Sequence, residues 1–229
     1  MARRPLATAL LLAAALMPRP AAAQPATVDE GTFTITRGGA PAGREQFRIM
    51  STPGIGGSIL KAQGTVTMDG RTITTSYVTD ARGAPESYSV EVREGGAVSE
   101  RATGSGRPGR ISVDAQSSAS RSAKEYVASS GVLVFDDDVF HQYHFLALRG
   151  VGSGRVPVVF PRRNVQEAMR VRDAGSDPVA VAGRAVPARK LVLSGAGSEV
   201  EVWVDADHRV LKVAVPARQL VAVRDAPPR

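Results

Sequence analysis

The sequence predicts a mainly β protein, an antiparallel sheet that carries a single helix. Three observations predict it. Apolar and polar residues alternate at a period of two over most of the chain, turn signals recur between these runs, and only the stretch Val134 to Gly150 changes period.

The first 23 residues stand apart from this pattern. Arg3 and Arg4 precede an apolar run from Leu6 to Met17, and Ala21 and Ala23 are the small residues before Gln24. That is the pattern of a secretory signal peptide cut after Ala23, and the run is too short to span a bilayer. No Cys follows to accept a lipid, and no later apolar run is long enough to cross a membrane. The expectation is an exported chain, periplasmic or extracellular and not membrane-spanning. Residues 24–229 would form a single β-rich domain.

The chain contains no Cys, so an exported form must be held by its core alone, and thiol chemistry and thiolate–metal sites are excluded. The formal net charge of +7, less the three arginines of the signal peptide, becomes +4. The arginines are spread along the chain rather than clustered, so nucleic acid is not an expected partner.

Each run reads as a strand. GTFTITR places Phe33 and Ile35 on one face, and REQFRIM places Phe47 and Ile49 likewise. GSILKAQGTVTM and RTITTSYVTD flank Asp69-Gly70, a pair that accepts the positive φ angles of a two-residue hairpin turn. ESYSVEVRE, AVSERATGSG, ISVDAQS and SRSAKEYVAS continue the meander. After Gly150, RVPVVFP, VQEAMRVRD, PVAVAG, AVPARKLVLSG, SEVEVWVDAD, RVLKVAVP and LVAVRD restore the strand pattern. Outer positions rich in Thr and Ser suit a face open to water.

The exception is VFDDDVFHQYHFLALRG. Val139, Tyr143 and Leu146 fall at i, i+4 and i+7, with Phe140, His144 and Ala147 in the next row. Asp136 or Asp137 would cap the helix start, Arg149 suits its C-terminal end, and Gly150 would stop it. The helix is expected over about residues 137–149.

This segment also holds the candidate chemistry. His141 and His144 are three apart, so on a helix they could share a metal with Asp137 or Asp138. Capping and packing explain the same residues without a metal, and the i, i+4 histidine pair with an adjacent glutamate that marks many zinc helices is absent. GSGRPG matches a dinucleotide loop only in spelling, since Pro108 interrupts it and a strand follows. No G-x-S-x-G elbow is present. His208 sits in a turn, and Trp203, the sole Trp, is either a core anchor or a pocket ring.

The order of GGAPAGREQFRI, DDDVFHQYHFLAL and VWVDADHRVLKV resembles uncharacterised exported bacterial proteins of the domain-of-unknown-function kind, grouped by shape with the periplasmic lipoprotein-localisation carriers. The resemblance implies a strongly curved antiparallel sheet, a half-barrel or open barrel, with the helix packed in its concave side. Carriers of that shape hold acyl chains there. This chain departs from them in showing one clear helix and no lipid-anchor Cys.

The function expected is therefore that of a binding protein for a lipid or other hydrophobic molecule, with Phe140, Tyr143, Phe145, Leu146 and Trp203 lining the site and no cofactor. The alternatives are a metal-dependent hydrolase built on Asp137, Asp138, His141 and His144, and an envelope module that binds a protein partner through a sheet edge.

Overall fold

The computed structural model describes residues 24–54, 57–128, 131–150, 152–195 and 197–228. The expected signal peptide, residues 1–23, lies outside the described residues. Eight long strands come first: β1 (Ala26–Arg37), β2 (Ala40–Gly54), β3 (Gly57–Met68), β4 (Arg71–Asp80), β5 (Pro85–Glu94), β6 (Ala97–Arg107), β7 (Arg110–Ser117) and β8 (Arg121–Val127). A short β9 (Leu133–Val134) leads into a 3-10 turn at His141–Tyr143 and helix α1 (His144–Leu148). Then follow β10 (Ser153–Phe160), β11 (Val165–Ser176), β12 (Val179–Val181), β13 (Arg184–Val186), β14 (Arg189–Gly195), β15 (Ser198–Val204), β16 (Val210–Val215) and β17 (Leu220–Arg224).

Fifteen strands form one sheet in the order β8-β7-β6-β5-β4-β3-β2-β1-β17-β16-β15-β14-β11-β10-β9. The meander is thus joined to the C-terminal half where β17 pairs with β1, so both wings grow outward from the middle of the sheet. The local chemistry is as the sequence predicts. β3 alternates exposed and buried residues along its length, and Asp69 and Gly70 take φ of 52° and 74°, the two positive values a tight hairpin turn needs.

The sheet is curved, and the core shows it. Tyr88 and Val113 of one wing, Val158 and Leu193 of the other, and Phe135, Phe145 and Leu146 between them belong to one buried apolar cluster. Residues 131–150 fill the concave side. The sheet does not close into a barrel. Its margins are tied by side chains instead of a backbone ladder. Tyr126 donates to Asn164 Oδ1 at 2.7 Å, Lys124 to the Asn164 carbonyl at 3.0 Å, and Gln166 to the Val127 carbonyl at 2.9 Å.

Three details differ from the sequence expectation. The short β9 lies parallel to β10, which makes the sheet mixed. β12 and β13 leave it as a separate hairpin. The helix is also shorter than residues 137–149: the aspartates precede it in an irregular turn, and only His141–Leu148 is helical.

Candidate functional site

The concave side is organised by buried polar groups. Period two sets Glu45 beside Phe47 and Ile49 on the inner face of β2, a place for an apolar residue, and Glu45 is 0% exposed. Its Oε2 accepts the backbone N–H groups of Phe140 (2.9 Å) and His141 (3.2 Å), while Oε1 meets His141 Nδ1 at 2.6 Å. A carboxylate has no proton to give, so Nδ1–H donates. Glu45 therefore supplies the cap of the helical segment from a distant strand. The expected local cap, Asp136 or Asp137, makes no such bond, because the turn holds both short of the first helical residue.

Gly64 makes room for this arrangement. A Cβ there would stand 2.5 Å from His141 Cε1 and 2.8 Å from its Nδ1. The ring stacks on Phe47 with centroids 5.6 Å apart and planes 6° from parallel. Gly→Ala in a strand ordinarily gains about 0.5–1 kcal/mol, whereas overpacking a filled core costs about 1–3 kcal/mol. The clash decides the sign: Gly64→Ala is expected to lower stability, read as a midpoint about 2–4 °C lower per kcal/mol. A midpoint at or above wild type would show that the ring does not depend on this gap.

Asp136 centres a second network. Its Oδ1 accepts from Arg162 Nε at 2.6 Å and from the Asp137 N–H at 2.9 Å, and Oδ2 from Tyr88 at 3.2 Å. Gln142 closes a ring on its backbone, accepting from Asp136 N–H and donating to its carbonyl, both at 2.7 Å. Burial outweighs Arg162 and pushes the Asp136 carboxyl up to about 6. The native state then holds this proton more tightly than the unfolded chain, so its share of stability falls as pH rises between about 4 and 6 and is fully lost above. Asp136→Asn removes that slope. Relative to wild type, its unfolding free energy is expected to gain on the order of 1–3 kcal/mol between pH 4 and pH 7. Parallel denaturation profiles for the two proteins would refute the assignment.

Three of the four residues proposed for a metal are paired elsewhere, His141 with Glu45 and both aspartates with arginines, while His144 keeps one ring nitrogen without a partner. Asp138, at φ 66°, meets Arg218 at 2.6 Å and Arg71 at 3.5 Å. The half-exposed Asp137 faces Arg163 at 3.4 Å. His144 Nδ1 lies 2.9 Å from the His208 carbonyl, an acceptor only, so it carries the proton and leaves Nε2 as a buried lone pair. Burial holds the His144 pKa below its ordinary value. Among the described residues no three His, Asp or Glu side chains gather as a metal set. The Glu45–His141 pair has the spacing of a carboxylate–imidazole dyad, yet at 0% and 1% exposure neither can reach a substrate.

The proposed ligand-binding residues divide three ways. Phe145 and Leu146 are packing residues, both 0% exposed, with the Phe145 ring edge-on to Tyr77 at 4.7 Å. Phe140 and Tyr143 border a crevice of about 80 Å³ whose rim holds Asp137, Asp138, Arg163 and Arg218. Trp203 does not join them. It faces the outer side of the sheet, packs with Val179 and Val181 of the β12–β13 hairpin, and donates from Nε1 to Asp177 at 2.7 Å. Period two alone puts it there, since Val202 and Val204 take the inner face.

A roomier cleft opens at the end of α1, with a volume of about 420 Å³. Ala147, Pro187, Ala188, Leu191 and Val204 give it an apolar lining, and Asp173, Arg189, Asp205 and His208 stand among its polar groups. Arg189 and Asp173 pair at 2.7 Å. Depressions of similar volume between β6, β7 and β8 and beside Arg162 are lined mainly by Ser, Gly, Thr and charged residues. Sequence reasoning missed the cleft because its walls come from four separate segments, none distinctive alone.

These features define the class, a mainly β chain with one large curved mixed sheet around a single short helix. Among the described residues no helix is long and apolar enough to cross a membrane. No protein-family model and no curated protein matches the sequence. The solved structure of a DUF1089 family protein from Pseudomonas aeruginosa aligns with 92% of this chain and 98% of its own, at 10% identity and a TM-score of 0.39. That likeness is too slight to carry an argument about function.

Proposed function

We propose that this chain is a non-catalytic binding protein, acting outside the cytoplasm, that takes a small hydrophobic or amphipathic molecule in the cleft at the end of α1. The observation that carries the reading is the cleft itself. Its volume of about 420 Å³ falls in the range of small-molecule sites, and its apolar lining is joined by a few convergent polar groups. The apolar part of a ligand would lie against Leu191 and Val204, with Arg189 and His208 placed to meet a polar end. The crevice beside Tyr143, at about 80 Å³, has room for only a small fraction of such a molecule.

Uptake of the fluorophore N-phenyl-1-naphthylamine by delipidated protein tests this. Ala206 is exposed in the β15–β16 turn and lines the cleft, so Ala206→Trp fills space without entering the core. Saturable uptake by wild type, weakened about tenfold or more in A206W, is the expected result. No uptake by wild type, or equal uptake by both, would refute the cleft as the site.

A further inference from the structure

We propose that the outer face of β10 and β11 is a docking surface for anionic phospholipid headgroups, built from Arg155, Arg170 and Arg172. All three are exposed. The sheet register sets Arg155 directly opposite Arg170, with Arg172 opposite Ser153 on the same face. Directly opposed residues stand about 5 Å apart at Cβ, and like charges there destabilise a sheet.

The rest of the surface shows how this chain usually treats its strand arginines. Arg93 and Arg101 share Glu91, Arg110 takes Glu125, and Arg121 takes Asp114. Among the described residues, Arg155, Arg170 and Arg172 have no such partner. The acidic groups nearest in register do not supply one. Asp173 is held by Arg189, Glu201 by Lys190, and Glu199 stands on β15, two strands from Arg170. The missing counter-charge is the partner's to bring.

The chemistry of the face selects the partner. A guanidinium fork matches two phosphate oxygens at once, which a point charge cannot do. The same-face neighbours are Ser153, Pro157, Ala168, Ser194 and Val192, and Val192, opposite Arg172, is buried, so no exposed aromatic or branched apolar side chain among them stands ready as an anchor. Protein interfaces draw their affinity from such anchors, and single-stranded nucleic acid needs aromatic stacking platforms. A layer of anionic headgroups needs only the charge. The inference is independent of the cleft at the end of α1.

Co-sedimentation of the mature chain with vesicles tests it. At low ionic strength the protein should sediment with equimolar phosphatidylglycerol and phosphatidylcholine, be released by salt, and ignore phosphatidylcholine alone. R155Q/R170Q/R172Q should partition roughly 100-fold more weakly while melting no lower than wild type. R93Q/R101Q/R121Q removes the same net charge from paired positions and should bind within a few-fold of wild type. Equal loss in both triple variants would reduce the effect to net charge and overturn the proposal. So would no sedimentation of wild type, or retention on immobilised polyglutamate without vesicle binding, which would point to an acidic protein.

Discussion

Glu45→Ala is expected to lower folding stability by about 3–5 kcal/mol, the cost of breaking a buried pair by deleting one partner. The substitution strands the His141 imidazole and the N–H groups of Phe140 and His141, all inside the sheet. Each buried group left unsatisfied costs about 1–3 kcal/mol, so the loss rivals the whole of a marginal stability near 5 kcal/mol. Urea denaturation reads the loss directly. Glu45→Gln keeps an acceptor oxygen for the two N–H groups and turns its NH2 toward His141 Nδ1, so the imidazole proton must move to Nε2 for Nδ1 to accept. The loss should be about half as large, since the charge-assisted bond becomes a neutral one. A double-mutant cycle with His141→Ala should give a coupling above about 1 kcal/mol. E45A protein as stable as wild type would remove Glu45 from its role as the distant cap of the helical segment.

Asp29→Ala is expected to be comparably damaging, again by about 3–5 kcal/mol. Asp29 and Arg224 form a bidentate pair at 2.7 and 3.0 Å, and both side chains are 3% exposed. Arg224 also donates to the Glu30 carbonyl and stands over the Phe47 ring, 5.4 Å from its centroid. It lies on β17 opposite Phe33 of β1, where the two wings of the sheet are joined. Removing Asp29 leaves a guanidinium charge at this junction with no counter-ion. The discriminating variant is Asp29→Leu with Arg224→Met, which removes both charges and keeps bulk. Breaking one partner is costly, whereas replacing both with apolar groups is often neutral or stabilising. The double variant should therefore be more stable than D29A. If it is less stable, the pair contributes more than the avoidance of an isolated charge.

Much of the sheet was legible in the sequence because a period of two and turn chemistry are local. GSILKAQGTVTM and RTITTSYVTD become β3 and β4 with the bounds that their pattern and Asp69-Gly70 imply. The splitting of AVPARKLVLSG into β13 and β14 was not legible, since it depends on a hairpin leaving the sheet to cover Trp203. The helical segment was half legible. Its apolar rows predicted burial correctly, but its start was misplaced because a local cap and a distant one leave similar marks in sequence.

The candidate site followed the same division. The aspartates and histidines of residues 136–144 were identified as notable from sequence, but their partners were not. Arg162, Arg71, Arg218, Glu45 and the His208 carbonyl come from five other places in the chain. The one clue was Glu45 itself, a carboxylate in register with the buried Phe47 and Ile49. An ionisable group at such a position needs a partner, and sequence alone does not say which.

By itself, then, the sequence determined the mainly β class, the hairpin order and the inward-facing residue sets, because alternation and turn geometry act over a few neighbouring residues. The tertiary structure alone decided the joining of β17 to β1, the cap on residues 140–141, the pairing of each buried charge and the cleft at the end of α1. Those depend on groups far apart in the chain meeting where water is excluded, and there each charge takes whichever partner the curved sheet brings within reach.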